Sequence, residues 1–353
     1  MRAEPRIAFS WHGLPDYAAR EIRTAIATIG RDCVVVGSRA AVPVVGQEQV
    51  LGCRIDWVDA RRPVTWRGLG QLVPDVFVQS GWGYAAFNAL GDEVRAHGGR
   101  VIGLSDANWR GDLRQRVLGR VAFRALHRRR FDAMIVPGRQ GVRLMAAFGM
   151  DERFVRMGML GADGAVFGGG PPLASRGKTM LFVGQFIARK DVLGLARAFI
   201  RFSDRLPEWS LRIVGSGAQR NLIPAHPRIV VEDFMQAEDL AERYHEARFL
   251  VLQSRAEAWG VVVHEAALAG CGLVLSDRIG SGDDLASGAN CVQFRAGDED
   301  QLVAALQAAA AFDDDRLARA EAQSRGLAAA FGPVRFAREV CDLVAGFTDR
   351  DRA

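Results

Sequence analysis

The sequence predicts an α/β protein of two doubly wound domains, each with a parallel sheet covered by helices on both faces. The chain has 353 residues, well above the size at which a single core is typical. Short β-branched runs alternate with helical stretches, which is the pattern of parallel strands joined by crossover helices. The alternation stops once, in segment 167–178, where the run Gly168–Pro172 can neither continue a helix nor form a central strand.

This break predicts the domain boundaries. We expect an N-terminal domain at residues 1–168, a C-terminal domain at residues 178–330, and a linker between them. In the final segment, 331–353, helix Phe331–Phe347 is expected to pack back across the linker. Ligands of doubly wound sheets bind at the carboxyl ends of the strands, so we expect the two domains to face a central cleft.

Individual elements follow from apolar periodicity and from capping residues. Helix Tyr17–Ile29 ends at Gly30, a common C-cap. Helix Val192–Phe202 follows Asp191, which we expect to be its N-cap. Two further helices are Ala237–Glu246 and Val261–Ala269. The predicted strands are Ile7–Ser10, Cys33–Gly37, Val76–Gln79, Val101–Leu104, Ala133–Val136, Met180–Val183, Leu211–Val214, Phe249–Leu252 and Leu273–Leu275.

Composition excludes several classes of protein. Hydrophobic residues make up 49% and charged residues 25% of the chain, which is typical of a globular protein and not of a disordered one. Apolar runs are far shorter than the ~20 residues of a spanning helix, and no signal peptide is recognisable, so we expect a cytoplasmic location. The 5 cysteines are scattered, which predicts reduced thiols and no zinc site. The net charge of +5 comes from an arginine-rich composition, and we infer no nucleic-acid binding from it.

The strongest functional signal is segment 254–266, which follows a predicted strand and opens a helix. Glu257 lies in the strand-to-helix turn, where the ligand crevice of the sheet is expected. Gly260 allows the backbone to approach a ligand closely. The amides of Val261 and Val262 begin a helix, which is a favourable place for phosphate.

Glu265 lies on the same helix, which is otherwise almost wholly apolar. A carboxylate buried without partners costs several kcal/mol, so Glu265 needs hydrogen-bond donors, and ribose hydroxyls of a nucleotide would supply them. The alternative is structural, with Glu257 a solvated loop acid and Glu265 paired to an arginine. The residues alone leave both interpretations open.

The segment resembles the EX7E motif of retaining glycosyltransferases with the GT-B fold, specifically the large family 4 of the group 1 type. Glu257 and Glu265 would be the two motif acids. Other segments of the C-terminal half are similar to the family in the same order and spacing: Leu181–Gln185, Arg189–Asp191, Leu211–Gly217 and Ala269–Asp277.

The resemblance implies a hexosyltransferase that needs no metal and no cofactor besides its nucleotide diphosphate sugar donor. By this resemblance Glu257 contacts the transferred sugar, Lys190 binds the diphosphate and Glu265 holds the ribose. Cations fixed near a departing diphosphate lower the barrier, and a carboxylate favours an oxocarbenium-like sugar. We expect Glu257 and Lys190 to be catalytic. The expected donor-binding residues are Gly13, Gly184, Gln185, Arg189, Lys190, Gly215, Glu257, Trp259, Gly260, Val261 and Glu265.

Lys190 is notable because Lys178 is the only other lysine in the chain. A lysine at a helix start is normally a solvated charge, and a helix N-terminus disfavours cations. An anionic ligand would compensate for that position, so we predict that Lys190 binds phosphate.

Two departures from the family bear on the predicted site. Gln185 stands where the family usually has an arginine, so that either Arg189 substitutes for it or the donor pocket is weaker. A histidine that is frequent late in the N-terminal domain is absent, and Asp106 or Asn108 could take its place. Asp16, beside the N-terminal glycine loop, is a third candidate on the acceptor side.

The predicted function is transfer of a sugar, with retention of configuration, to a carbohydrate or lipid-linked acceptor in cell-envelope polysaccharide synthesis. Two alternatives stay open. One is a catalytically silent subunit that binds nucleotide sugar, and the other is a different enzyme of the same fold, such as a nucleotide-sugar epimerase or a phosphorylase.

Residues Arg110–Arg130 form an arginine-rich stretch with two interpretations. Arginines recur every four positions from Arg116, while Leu113, Val117 and Val121 line a different face. The stretch is either a basic amphipathic helix in peripheral contact with anionic lipid on the inner face of the plasma membrane, or a solvated helix face.

Overall fold

The computed structural model describes residues 5–39, 46–109, 112–113 and 115–350, without the side chains of 348–350. Arg110, the first residue of the predicted amphipathic helix, lies outside the described residues. The chain forms two compact units. Unit 1 comprises Met1–Gly161 and Phe331–Ala353, and unit 2 comprises Ala162–Ala330.

Unit 1 contains a seven-stranded parallel sheet in the order β3-β2-β1-β4-β5-β6-β7. Its order reverses between β1 and β4, which are direct neighbours. The strands are β1 (Ile7–Gly13), β2 (Val34–Arg39), β3 (Asp56–Trp57), β4 (Val76–Ser80), β5 (Arg100–Leu104), β6 (Ala133–Val136) and β7 (Val155–Met157). The helices are α1 (Asp16–Ile29), α2 (Gln47–Leu51), α3 (Ala85–Ala96), α4 (Arg120–Leu126), α5 (Arg139–Phe148) and the last helix of the chain, α13 (Pro333–Arg350).

Unit 2 contains a six-stranded parallel sheet in the order β10-β9-β8-β11-β12-β13. Here the order reverses between β8 and β11. The strands are β8 (Thr179–Val183), β9 (Ser210–Val214), β10 (Ile229–Glu232), β11 (Phe249–Leu252), β12 (Gly272–Ser276) and β13 (Cys291–Phe294). The helices are α6 (Gly164–Phe167), α7 (Val192–Ser203), α8 (Ala237–Glu246), α9 (Val261–Leu268), α10 (Gly282–Leu285), α11 (Glu299–Ala310) and α12 (Asp314–Ala328).

Burial explains why the central strands could be predicted. β6 and β11 are apolar and buried along their whole length, as expected for strands covered on both faces. The core of unit 1 is aromatic and includes Trp66, Phe77 and Phe87. The indole of Trp66 donates to the Leu90 carbonyl at 3.1 Å, so its polar group is satisfied inside the core. The two-domain α/β prediction is confirmed.

The point where the chain passes between the units differs from the predicted linker. The chain leaves unit 1 after Gly161 and returns at Phe331. Segment 167–178 belongs to unit 2, because the guanidinium of buried Arg176 donates to the Tyr244 carbonyl at 3.0 Å and the Ala269 carbonyl at 2.6 Å. The glycines and prolines there form an ordered surface segment of unit 2.

The crossing at Gly161 is held by a buried acid of α1. The Glu21 carboxylate accepts a hydrogen bond from the Gly161 amide at 2.6 Å. Burial raises the pKa of Glu21 well above its ordinary value, although this amide bond opposes the shift. Helix α13, expected to pack across the linker, lies in unit 1 against α1.

Asp191 occupies the predicted N-cap of α7 but does not cap it with its side chain. Its backbone has φ of 54°, in the left-handed region, and the carboxylate makes no capping bond. The carboxylate instead accepts a hydrogen bond from the Arg255 guanidinium at 3.1 Å. Among the helices in the described ranges, none is long and apolar enough to cross a membrane.

Candidate functional site

The predicted catalytic pair lies at the carboxyl ends of the two strands where the sheet of unit 2 reverses its order. β8 leads into a loop that carries Lys190, and its neighbour β11 leads into a loop that carries Glu257. A doubly wound sheet binds its ligand at this point, because the crossover helices diverge there and leave a crevice. The topology alone therefore brings these two residues, 67 positions apart in sequence, to one place.

Glu257 accepts hydrogen bonds from two cations through the same carboxylate oxygen. The Lys190 ammonium donates to Oε2, and the Arg189 guanidinium donates to it at 3.1 Å. Arg189 also donates to the Ala256 carbonyl at 2.7 Å. The side chains of Lys190 and Glu257 are only 10% and 12% exposed, whereas that of Arg189 is 45% exposed. Lys190 is therefore not a solvated surface lysine.

The backbone around this pair is held by further hydrogen bonds. The Glu257 amide donates to the Arg278 carbonyl at 3.0 Å, and its carbonyl accepts from the Gly280 amide at 3.0 Å. The Gln253 side chain donates to the Lys190 carbonyl at 2.7 Å. Because protein groups hold the backbone of both loops, Lys190 and Glu257 are brought together without a ligand.

Two glycines allow the loops to adopt this arrangement. A Cβ on Gly215, after β9, would lie 1.9 Å from the carbonyl oxygen of Gly184, after β8, so no side chain fits where these loops meet. Gly260 has φ of 89°, in the left-handed region, and precedes α9 as its N-cap. Only glycine adopts this conformation without strain, and it directs the first amides of α9, from Val261 onward, toward the same end of the sheet.

Glu265, the second motif acid, has a protein donor that the sequence analysis did not identify. The Tyr244 hydroxyl donates to its Oε2 at 2.7 Å. Tyr244 is fully buried, and burial together with the negative charge of Glu265 raises the pKa of its phenol well above the ordinary value. Glu265 itself is half-buried, so it is not the deeply buried acid that we expected.

The remaining predicted donor residues of unit 2 have different environments. Gln185 is exposed and Gly184 is half-buried. Trp259 is only 3% exposed, so its indole is part of the core, and its carbonyl accepts from the Ser281 amide at 3.1 Å.

His264, adjacent to Glu265 on α9, has a structural role. Its Nδ1 accepts from the Ala162 amide at 2.8 Å, so the ring proton lies on Nε2, which donates to the Ala328 carbonyl at 3.0 Å. The side chain thus ties α9 to the first and last segments of unit 2. Burial lowers the pKa of this imidazole to about 4.

Unit 1 has a cavity of about 280 Å³ at the corresponding reversal between β1 and β4. Polar and aromatic groups line it together. The exposed His12 ring stacks on Tyr84 with 4.3 Å between centroids, and its Nδ1 lies 2.7 Å from the Ser38 hydroxyl. Sequence reasoning did not predict the aromatic lining, which includes Trp11, Tyr17, Trp82 and Tyr84.

The predicted residues of unit 1 do not all meet at this cavity. Asp106 lines it, and Gly13 lies at the end of β1, buried, with φ of 76°. The Asp16 carboxylate instead pairs with Arg20 at 2.7 Å. The Asn108 carbonyl accepts a hydrogen bond from the Gln115 side chain at 2.8 Å. Only Asp106 of the three acceptor-side candidates is therefore part of the cavity wall.

Neither metal ligands nor reactive thiols stand out in the described part of the chain. No group of three or more His, Cys, Asp or Glu side chains there could hold a metal ion. The cysteines are free, and burial raises the pKa of the Cys271 thiol to about 11.

The family comparison matches the segment of the chain that contains Lys190 and Glu257. Residues 177–311 match the family model described as glycosyl transferases group 1. The chain is a glycosyltransferase with a group 1 domain. No curated protein sequence matches the chain.

Solved structures show that the chain has the GT-B fold over 97–99% of its length. HepE from Anabaena, in complex with UDP and glucose, matches with a TM-score of 0.73 at 15% identity, over 97% of this chain and 100% of HepE. Sucrose-phosphate synthase from Thermosynechococcus elongatus matches with a TM-score of 0.73 at 16% identity, over 98% and 100%. A putative UDP-N-acetylglucosamine 2-epimerase from Listeria monocytogenes matches with a TM-score of 0.68 at 12% identity, over 99% and 98%.

Proposed function

We propose that this glycosyltransferase moves a sugar from a nucleotide diphosphate donor to a carbohydrate or lipid-linked acceptor, with retention of configuration and without a metal ion. The observation that carries the proposal is the contact of Glu257 with Lys190 and Arg189 at the reversal of the unit 2 sheet. We place the reaction in the cytoplasm, in cell-envelope polysaccharide synthesis.

The charges of this cluster suit a diphosphate. Two cations share one carboxylate, so the cluster carries a surplus positive charge beside the amino end of α9. A diphosphate that enters would attract Lys190 and Arg189, and amides at a helix N-terminus would add to that attraction. These fixed donors would stabilise the charge that develops on the departing diphosphate, which is the role that a metal ion has in other transferases.

The two acids would then act on different parts of the donor. Once the phosphates engage the cations, the Glu257 carboxylate is released toward the sugar, where a negative charge favours an oxocarbenium-like transition state. Glu265, oriented by Tyr244 at 2.7 Å, would accept hydrogen bonds from the ribose hydroxyls.

The experiment is a donor-turnover assay with UDP- and GDP-sugars, starting with UDP-glucose because the HepE structure contains UDP and glucose. We expect Lys190→Ala to lower turnover by about 10²–10³-fold, the typical loss for one electrostatic donor. Lys178→Ala is the matched control, because Lys178 lies on the surface and pairs with Glu208 at 3.1 Å. Equal turnover by both variants would contradict the proposed role of Lys190.

Product analysis separates the proposal from the alternatives. NMR of the anomeric proton in the transferred product reports retention or inversion directly, and turnover in EDTA reports whether a metal is needed. An epimerised donor formed without any acceptor would favour an epimerase, and a dependence on inorganic phosphate would favour a phosphorylase. A protein that binds UDP-sugar but neither transfers nor hydrolyses it would be a silent subunit.

A further inference from the structure

We propose that the cavity at the reversal of the unit 1 sheet, here called the aromatic cavity, binds an acceptor sugar ring that carries neither phosphate nor carboxylate. The inference rests on the proposed sugar transfer and narrows the class of its acceptor. The cavity lies between β1 and β4 and has a volume of about 280 Å³. This volume is at the small end of ligand pockets and suits a single sugar ring.

Two of the lining rings come from the loop that joins β4 to α3, Gly81–Tyr84. A network of side-chain amides fixes this loop. The buried Gln79 side chain donates to the Gly81 carbonyl at 3.0 Å and to the Asn88 side-chain oxygen at 2.9 Å. The Asn88 amide group donates in turn to the Trp82 carbonyl at 2.9 Å. Because protein groups already order the loop, less conformational entropy is lost when a ligand binds there.

The two rings of this loop are held by aromatic neighbours and remain half-buried, so each shows part of its surface to the cavity. Trp82 contacts buried Phe123 edge-on, with 5.2 Å between centroids. Tyr84 contacts buried Phe87 edge-on at 5.6 Å and stacks on His12 at 4.3 Å. The axial C–H groups of a pyranose form an apolar face, and the negative face of an aromatic ring attracts such hydrogens. A fixed aromatic surface therefore matches a sugar ring.

The charges of the lining disfavour an anionic ligand. Among the described residues that line the cavity none is lysine or arginine, and Asp106 is the one acid. Burial lowers the pKa of the His12 imidazole below its ordinary value, so this ring is neutral at pH 7. The Ala86 amide at the N-terminus of α3 already donates to the Ala60 carbonyl, at 3.2 Å. A phosphate or carboxylate in the cavity would thus meet a like charge and no lysine or arginine of the described lining.

The polar part of the lining matches hydroxyl groups. Burial raises the pKa of the Tyr84 phenol, and the negative charge of Asp106 adds to this shift, so the carboxylate and the ring lie close enough to act on one ligand. A carboxylate accepts hydrogen bonds from hydroxyls, while the ring covers the apolar face. An aliphatic lipid chain would take the place of water around the carboxylate without offering it a hydrogen bond, which is costly. The combination therefore favours an uncharged saccharide.

The test is saturation-transfer NMR of the full chain with matched sugars, in the presence of UDP to occupy the proposed donor site of unit 2. The panel pairs the methyl glycosides of glucose, galactose and mannose with their 6-phosphates and uronic acids. We expect an uncharged glycoside to bind, and its two acidic counterparts to bind at least about tenfold more weakly, the effect of one like charge at close range. Tyr84→Ala should weaken binding of the glycoside about fivefold, the typical contribution of one aromatic contact. Tyr84→Phe keeps the ring and should retain binding.

Asp106→Asn tests the charge of the cavity. Because it removes the like charge, this variant should bind the acidic sugars more tightly than the wild type does. Two matched controls should leave binding unchanged. Phe234→Ala removes an exposed aromatic ring of unit 2, and Asp342→Asn removes the charge of an exposed acid of unit 1. Thermal unfolding by circular dichroism checks that all variants are folded.

The outcomes separate this inference from the proposed function. Absence of binding by every uncharged glycoside would overturn the inference, and so would equal binding of the acidic counterparts. A bound glycoside that does not raise donor turnover would overturn its assignment to the acceptor. UDP binding by titration calorimetry and donor hydrolysis without an acceptor test sugar transfer by themselves, because neither needs a ligand in the aromatic cavity.

Discussion

Protonation of His264 should destabilise the fold by about 3 kcal/mol. Burial lowers the pKa of this imidazole from 6.5 to about 4, so between these pH values the unfolded chain binds the proton more readily than the folded chain. The contribution to stability is therefore complete above pH 6.5 and is lost as the pH falls toward 4. A shift of about 2.5 units at ~1.36 kcal/mol per unit gives about 3 kcal/mol.

Urea unfolding of the wild type and of His264→Gln, at several pH values between about 4 and 8, measures this effect. Glutamine can accept and donate one hydrogen bond each, as the neutral imidazole does, but does not titrate in this range. We expect the variant to lose less stability than the wild type on acidification. His97→Gln is the control, because it makes the same substitution at an exposed histidine. An identical acid-induced loss in the wild type and His264→Gln would refute the reasoning.

Three further predictions concern buried or crowded positions. The pKa of Glu21 is raised in the folded state, so its contribution to stability is complete below its unfolded pKa and is lost as the pH rises. The urea midpoint of Glu21→Gln should therefore rise relative to that of the wild type as the pH increases from about 5 to 8. A difference between the two midpoints that stays constant over this range would contradict the prediction. Tyr244→Phe removes the hydrogen bond to the Glu265 carboxylate and should lower the free energy of unfolding, measured with a chemical denaturant, by ~1–2 kcal/mol. An unchanged free energy of unfolding would show that this bond contributes nothing to stability. Gly215→Ala brings a Cβ against the Gly184 carbonyl and should lower the stability of the fold by ~1–3 kcal/mol. The control is Gly326→Ala, in a helix with open space around it, which should be neutral or stabilising. Differential scanning calorimetry compares the two variants with the wild type.

The central strands were predictable because burial on both faces gives an unbroken apolar run. Strands Ala133–Val136 and Phe249–Leu252 have the predicted bounds. All four edge strands were missed: β3 (Asp56–Trp57), β7 (Val155–Met157), β10 (Ile229–Glu232) and β13 (Cys291–Phe294). They are two to four residues long and none is buried along its whole length, so their apolar pattern is weaker than that of a central strand.

The linker prediction was wrong in position for a related reason. Glycine and proline indicate where regular structure stops, but they do not show whether the chain then leaves a domain. The buried guanidinium of Arg176 holds the Gly168–Pro172 region on unit 2, and no local pattern reveals such a contact. Gly161, the actual crossing, is an isolated glycine whose importance depends on Glu21, far away in sequence.

The contacts of the candidate site that follow from strand order were predictable from the sequence. The contacts between side chains of two packed helices were not. Lys190 and Glu257 follow strands that a doubly wound sheet places side by side, so their contact is a consequence of topology. The hydroxyl of Tyr244 reaches Glu265 from α8, and that depends on how two helices pack. Glu21 could have been found from the sequence, since it falls among buried positions of α1, next to Ile22.

The return of the chain to unit 1 has a consequence for the order in which the protein folds during its synthesis. Unit 2 has all of its residues once Ala330 has been made. Unit 1 begins first, yet α1 lacks its packing partner α13 until residues 333–350 emerge from the ribosome. Domains generally fold in the order in which they are translated, but here the domain that starts later can be completed earlier. Until then the apolar side of α1 stays uncovered, and a stalled or truncated chain would expose it to chaperones or to aggregation.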